Sequence, residues 1–591
     1  MIVSCQNRIN SDSHRLVHLG ETAQMWNEVF LEHRQKFPEC QGFLSWDIPS
    51  EERRGLVTRL GVFCDTCVYK SKKYSLYKEI GTKRKGSKPA KVNYGLQAGL
   101  SQTPIGNASL RKIILSTNTP APSSTSLQSN SNKVLKQIET LNKKDMQKRR
   151  QNLIEINELR SASNPNVIGI QSDGMYNNPL YSGVGETPFQ PATQTVYSIA
   201  ENVTKKHQII SLVTKNKLCS RNQHLQSENE SDHVCSSEIC GANIPMEQNI
   251  GDELPWAKEG MTDLAKDNIQ VGQVTTDPDS SAYRATEHLY EQGILENPAK
   301  HFIDMRHLSE NMRKTIKKNQ LLLRLMPKQT KTEKTKLLHN FSIDITDRCT
   351  AEFNKAYTEY AGNTIKIKNK LSYACDAIIG CYMGSHLLCK KHSLVCRGGI
   401  KNWVNRSAYL NNDFKIKASV ANANLIRSCV HIRLSPSVLD KTILNTNTQK
   451  VESFNRVLRQ SLPRNVTFSR NFSGRAHSAA HCSNNGPGDS LISLCTEIGA
   501  EIPQKGKVHH ALKQMQNEQN LRKTYRETDK YKNHRVMKRK KLFKLHAKHQ
   551  HEILYKKNML DMNNTKDRAK ASNKSHTEHN YAQQRVKSTK K

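Results

Sequence analysis

Aromatic residues are scarce in this chain, at 6% of 591 positions, and hydrophobic residues of all kinds reach only 36%. So lean a composition cannot bury every segment, and part of the chain is expected to be extended or disordered, mainly towards the carboxyl end. Long apolar runs are missing too. None approaches the roughly 18 residues of a spanning helix, and the first residues lack the charged-then-apolar order of a signal peptide. A soluble, intracellular chain is therefore expected, with no membrane partner. The 15 cysteines are too dispersed for a secreted disulfide scaffold, and their odd number leaves at least one unpaired, which points to reduced thiols or metal ligands.

Acidic residues are in deficit: 91 Lys and Arg face 53 Asp and Glu, a formal charge of +38. Such an excess attracts a polyphosphate through counterion release, whatever its sequence. No glycine-spaced aromatic motif or recurrent stacking platform appears, which counts against a single-strand or RNA-binding module. Duplex DNA is the expected partner.

Against that basic background three carboxylates stand out. Asp173 ends the apolar run Val167 to Ser172, Asp277 ends the run Ile269 to Thr276, and Glu452 opens the helix-like Glu452 to Leu458. Two strand ends and one helix can converge on one point. Mg²⁺ and Mn²⁺ prefer oxygen ligands and are held by a few carboxylates together with substrate phosphates. Two such ions about 3.5–4 Å apart serve an in-line displacement at phosphorus, so the triplet suits a metal-dependent polynucleotidyl transferase.

Residues 1–80 form the first unit expected, a candidate zinc element. Cys64 and Cys67 make a CxxC knuckle, and Cys40 and His33 are the nearest sources of the two remaining tetrahedral ligands. The segment has few apolar residues, so its fold is expected to depend on the metal. Residues 81–160 read as a linker, rich in Ser, Thr, Asn and Pro from Ser116 to Asn132, followed by a helix from about Lys133 to Arg160. Residues 165–308 alternate as three strands, helix, strand, helix, strand, an α/β order. The interval 224–245, with His224, His233, Cys235 and Cys240, reads as a loop with some metal-binding character.

Residues 310–445 look mostly helical and carry Cys381, His386, Cys389, His392 and Cys396, a zinc-friendly set that is also compatible with a buried core cluster. Residues 446–500 begin with the Glu452 helix. There Arg456, Arg464, Arg470 and Arg475 are candidates to grip phosphates. Residues 501–591 form a basic tail, with 22 Lys or Arg against 6 Asp or Glu from position 521 onward. Within it Lys538-Arg539-Lys540-Lys541 suits both DNA phosphates and nuclear import.

Taken in order, these motifs resemble the Mutator-like transposase family. The likeness spans roughly residues 25–500 and is carried by Cys64-Asp65-Thr66-Cys67, Asn93-Tyr94-Gly95-Leu96-Gln97, Ser172-Asp173-Gly174-Met175-Tyr176-Asn177-Asn178, Thr275-Thr276-Asp277-Pro278-Asp279-Ser280, Cys389-Lys390-Lys391-His392 and Thr448 to Arg456. The resemblance implies a ribonuclease H-like core interrupted by a largely helical insertion before the catalytic Glu, for which the 175 positions between Asp277 and Glu452 leave room. It implies an Asp-Asp-Glu triad that cleaves element ends and joins them to target DNA, a CxxH element at Cys389 and His392, nuclear action, and pairing of two element ends by a homo-oligomer. The chain departs from the family where Asp277-Pro278-Asp279 stands in place of Asp-Gly-Asp, so either Asp277 or Asp279 could be the second ligand. The competing expectation is a domesticated or inactive copy that binds DNA without cutting it.

Overall fold

The apolar run that opens Val167–Tyr176 forms the central strand of the largest sheet. A computed structural model describes residues 12–81, 86–177, 192–218, 240–245, 248–278 and 281–548. The chain divides into two compact units, Met1–Leu512 and Lys513–Lys591.

The first unit begins with helix α1 (Leu19–Lys36), whose first turn is capped by the His18 imidazole accepting from the Glu21 amide. It packs on short antiparallel strands β1 (Leu44–Trp46), β2 (Glu52–Arg54), β3 (Val57–Leu60), β4 (Val62–Cys64) and β5 (Tyr74–Ser75). Met25, Val29, Leu60, Val62, Tyr69 and Leu76 form a small buried core here. The few apolar residues of this segment thus do supply a core, because positions spread thinly along the sequence converge once the helix lies on the strands.

Helices α2 (Lys91–Ser101), α3 (Asn107–Ser116) and α4 (Ser124–Leu159) follow. The stretch read as a linker up to Asn132 is already helical from Ser124, capped by the Ser123 hydroxyl accepting from Ser126 N at 3.1 Å. Buried Leu127, Ser131, Val134, Leu135 and Ile138 recur on one face of α4. Packing on that face overrides the poor helix propensity of the Ser- and Asn-rich turn.

The sheet that positions the site has five strands, β6 (Val167–Tyr176), β7 (Gln194–Glu201), β8 (Ile209–Asn216), β9 (Gln270–Thr276) and β10 (Lys300–Ile303), in the spatial order β10-β9-β6-β7-β8. β6, β7 and β8 run antiparallel, while β9 is parallel to β6 and β10 to β9. Side chains alternate between its faces. Ile168, Ile170, Tyr197 and Ile199 pack under α5 (Leu254–Lys266) and α6 (Ala282–Glu291), whereas Met175, Val196, Ala200 and Leu212 meet α4, α14 (Gln449–Ser461) and α15 (Phe472–Asn485). The element types expected over 165–308 are present, with shifted ends.

Between β10 and α14 the chain is helical: α7 (Met305–Lys318), α8 (Gln320–Leu325), α9 (Lys331–Glu359), α10 (Thr364–Tyr382), α11 (Leu387–His392), α12 (Val420–Leu434) and α13 (Pro436–Thr442). These helices share a core of their own. α16 (Pro487–Glu497) then closes against α2 and α4 through Leu494, Cys495 and Ile498. Helix α17 (Lys507–Glu527) leads on, and α18 (Asp529–Lys548) lies in the second unit.

On α15, His477 Nδ1 meets Asn142 Nδ2 at 2.9 Å within the core. Burial pushes this imidazole down to about 4 from its ordinary 6.5, against a smaller upward pull from Glu139. The unfolded chain therefore takes up a proton that the native chain refuses. Stability is full above about 6.5 and declines as pH falls towards 4, by up to roughly 1.4 kcal/mol per pH unit from this group. Urea midpoints measured at several pH values should show a gentler acid decline in His477→Gln than in the unaltered chain.

Candidate active site

The site is built where parallel strands end. β6, β9 and β10 all point their carboxyl ends to the same edge, the edge where open α/β sheets place ligands. Gln171 pairs in register with Thr275, so Asp173, two residues on, comes out beside Asp277, which follows the last residue of β9. Asp173 shares the face of Gln171 and Met175, and α14 crosses that face. The Lys450 and Val451 amides donate to Gln171 Oε1 at 3.3 and 3.4 Å, and Asn455 Nδ2 donates to Asp173 Oδ2 at 2.7 Å. These bonds set Glu452, in the first turn of α14, towards the strand ends.

Two residues not singled out by the sequence complete the contact. After β10, Asp304 caps α7, its Oδ1 accepting from the amides of Arg306 at 2.6 Å and His307 at 3.2 Å. Its other oxygen accepts from the Thr448 amide at 2.7 Å and is buried with it. One carboxylate thereby joins the starts of α7 and α14. His307 Nε2 then lies 2.7 Å from Glu452 Oε1 and 3.5 Å from Asp277 Oδ1. Its pKa is raised: burial opposes the charge, but the Glu452 hydrogen bond and the Asp277, Asp304 and Glu452 charges outweigh it. Asp304-Met305-Arg306-His307 has the same spacing as Cys389-Lys390-Lys391-His392, so an acidic counterpart of the CxxH pattern was available in the sequence.

A further carboxylate, Glu253 at the start of α5, accepts from the Tyr176 hydroxyl. It lies so close over Gly174 that a Cβ there would come within 2.5 Å of Glu253 Oε1. Burial, followed by the charges of Glu253, Asp277 and Glu452, pushes Asp173 up to about 7. Burial likewise raises Asp277, with Asp304 and Glu452 adding to it and His307 opposing, and raises Glu253. The acidic groups thus form one electrostatic unit. Among the described residues they do not close to within 4.8 Å of one another as a set of three. Asp279 lies outside the described residues.

Two sets do close that far, and both could hold zinc: His33, Cys40, Cys64 and Cys67, and Cys381, His386, Cys389 and Cys396. In the first, His33 Nε2 is 3.3 Å from Cys67 Sγ and Cys40 Sγ is 3.7 Å from Cys64 Sγ. Gly42 permits this approach, since a Cβ there would stand 2.6 Å from Cys64 Sγ. His392 is not in the second set. Its ring stacks on Tyr373 at 5.1 Å, which corrects the pairing of Cys389 with His392. Of the 224–245 interval, His224, His233 and Cys235 lie outside the described residues.

The arginines divide. Arg456, Arg464 and Arg470 are exposed. Burial and Arg459 lower the pKa of Arg464 while Asp173 raises it, which places Arg464 by the acidic group. Arg470 lines a cleft of about 1210 Å³ with Lys133, Lys136 and Lys143, and none of the three carboxylates reaches it. Arg475 is a correction: its guanidinium is buried, donates to the carbonyls of Thr103, Ser461 and Ile105 at 2.9–3.0 Å, and lies over Phe468. It is 3% exposed and holds the fold. Lys538, Arg539, Lys540 and Lys541 are exposed on α18.

No helix among the described residues is long and apolar enough to cross a membrane. A sequence model of one family, described as Mutator-like transposase, matches residues 13–396, well over half of the chain. The match takes in Asp173, Asp277, His307 and both Cys/His sets and ends before Glu452. No curated protein matches the chain.

Proposed function

Because the chain belongs to the Mutator-like transposase family, a family of DNA-binding, nucleic-acid-processing enzymes, we propose that it cleaves and joins DNA phosphodiesters at the acidic site, with Asp173, Asp277 and Glu452 as an Asp-Asp-Glu triad. The observation that carries this reading is the meeting of Asp173 and Asp277 at neighbouring parallel strand ends with Glu452 on the crossing helix, bridged by His307. The strand order β10-β9-β6-β7-β8 supports a ribonuclease H-like core, with the helices from Met305 to Thr442 as the insertion.

The donor set fits Mg²⁺ or Mn²⁺. It is all oxygen, and burial together with mutual repulsion pushes Asp173 up to about 7, the behaviour of a carboxylate short of a cation. Asp173, Asp277 and Glu452 would hold two such ions, whose chemistry is to activate the attacking oxygen and stabilise the leaving one. The protein's own part is positioning. Asn455 fixes one oxygen of Asp173, Gln171 fixes the start of α14, and Asp304 fixes His307 against Glu452. Arg464, beside Asp173, and Arg456, exposed one turn along α14 from Glu452, would orient phosphates. Water first cuts at an element end, and the freed 3′-hydroxyl then attacks target DNA, with no covalent enzyme intermediate. Action in the nucleus on duplex DNA, by a homo-oligomer that pairs two ends, belongs to the same reading.

The test is nicking of duplex DNA bearing the element's terminal inverted repeats. Cleavage that stops in chelator and returns with Mg²⁺ or Mn²⁺ is expected, whereas DNA binding without cleavage in any divalent ion would identify a copy that only binds. The basic tail has its own expected outcome. Deleting residues 521–591 should weaken binding to every sequence and flatten its salt dependence, by roughly 0.9 in log–log slope per lost phosphate contact. An unchanged slope with normal nuclear accumulation would remove both roles from the tail.

A further inference from the structure

Cys381, His386, Cys389 and Cys396 all come from one 16-residue stretch at the end of α10 and around α11, and their ligand atoms lie within 4.8 Å of one another. Cys381 is 1% exposed and Cys389 and Cys396 are 0% exposed. Cys396 Sγ faces His386 Nδ1 at 3.8 Å and accepts from the Trp403 amide at 3.3 Å. A backbone N–H aimed at a sulfur in this way supports a thiolate more than a thiol.

The stretch after α11 is anchored by Ser393 and Leu394 bonding Glu352, with Leu394 and Cys396 in the helical core, but α11 itself is weakly held. α11 is only six residues long, too short to persist by itself. Leu387 is 80% exposed and Ile400, beyond the cluster, is 91% exposed. Apolar anchorage of α11 is therefore thin, and its buried residue, Cys389, belongs to the cluster.

We infer that these four residues bind one zinc ion as a closed Cys₃His structural site that ties α10 to α11 inside the helical body. Thiolate sulfur and neutral imidazole are the ligands zinc prefers, and four protein ligands leave no open position for substrate, so the ion's role is to cross-link. Closing so short a loop costs little chain entropy, and binding free energy becomes folding free energy. His392, stacked on Tyr373, stands outside the set. Metal content and spectroscopy read the site independently of any cleavage assay.

The test uses the full chain, purified in reductant and dialysed against metal-free buffer. Two zinc ions per chain are expected, one here and one at His33, Cys40, Cys64 and Cys67. Cys396→Ser should lose one of the two, and His392→Ala should keep both. If Cys396→Ser fails to fold, Cys64→Ser/Cys67→Ser isolates the site in its native sequence. That variant, loaded with Co²⁺, should bind one ion and show thiolate charge-transfer bands with the strong visible bands of a tetrahedral complex. A natively helical unaltered chain holding no zinc ion would overturn the inference, as would Cys396→Ser that holds as much zinc as the unaltered chain. So would sulfurs of Cys381, Cys389 or Cys396 that react with an alkylating agent only after reduction, since they would then be disulfide-bonded.

Discussion

Asp173→Asn, Asp277→Asn and Glu452→Gln are each expected to lower divalent-metal-dependent strand cleavage by on the order of 10²–10³-fold, the loss that follows removal of one preorganised electrostatic group. Affinity for duplex DNA should hold or tighten, because each amide keeps its carboxylate's shape and removes a negative charge that would face phosphate. The pattern separates catalysis from folding. Asp173 is held by Asn455 at 2.7 Å and Glu452 by His307 at 2.7 Å, and the oxygen of an amide side chain can still accept each of these bonds. Cleavage rates with labelled duplex and dissociation constants from anisotropy provide the check. Full activity in all three variants would end the assignment, and loss confined to Asp279→Asn among the second pair would move that ligand by two residues.

The second large effect is on stability. Arg348 and Glu352, one turn apart on α9, are both 0% exposed and bridged at 3.0 Å. Glu352 also accepts from the Ser393 hydroxyl and from the Leu394 amide at 2.9 Å, and the Arg348 guanidinium lies over Trp403. Glu352→Ala would leave the Arg348 charge buried without a counter-ion, together with a bare Leu394 amide. A cost of about 3–5 kcal/mol is expected, readable as a fall in the urea midpoint. Replacing both partners, as Arg348→Met with Glu352→Leu, should cost much less, since no charge then remains to be solvated. Equal losses in the single and double variants would show that volume, and not charge, governs this part of the insertion core.

Legibility in the sequence followed the range of the forces involved. The strands of the central sheet were visible because runs such as Val167 to Ile170 and Ile269 to Val274 carry their burial locally. The carboxylates ending those runs were visible for the same reason. α4 was only half legible: Ser124 to Asn132 has the composition of a loop, and its helix depends on a partner face supplied more than 300 residues later by α15 and α16. The same limit hid Asp304 and His307, whose meaning lies in contacts to Thr448 and Glu452 across the whole insertion. Arg475 shows the converse. Its position among basic and amide residues suggested a phosphate grip, yet three backbone carbonyls from distant segments engage it. Spacing also misled at His392, because a CxxH pattern says nothing of the Cys381, His386 and Cys396 side chains that surround Cys389.

The central claim is that Asp173, Asp277 and Glu452 form one divalent-cation site, and Mn²⁺ titration followed by electron paramagnetic resonance tests it without knowledge of the DNA ends. The unaltered chain, with its zinc sites filled, should remove free Mn²⁺ from solution with saturable binding, and Glu452→Gln and Asp173→Asn should each weaken that binding markedly. Saturable binding that is the same in both variants as in the unaltered chain, or no saturable binding with or without duplex DNA present, would contradict it.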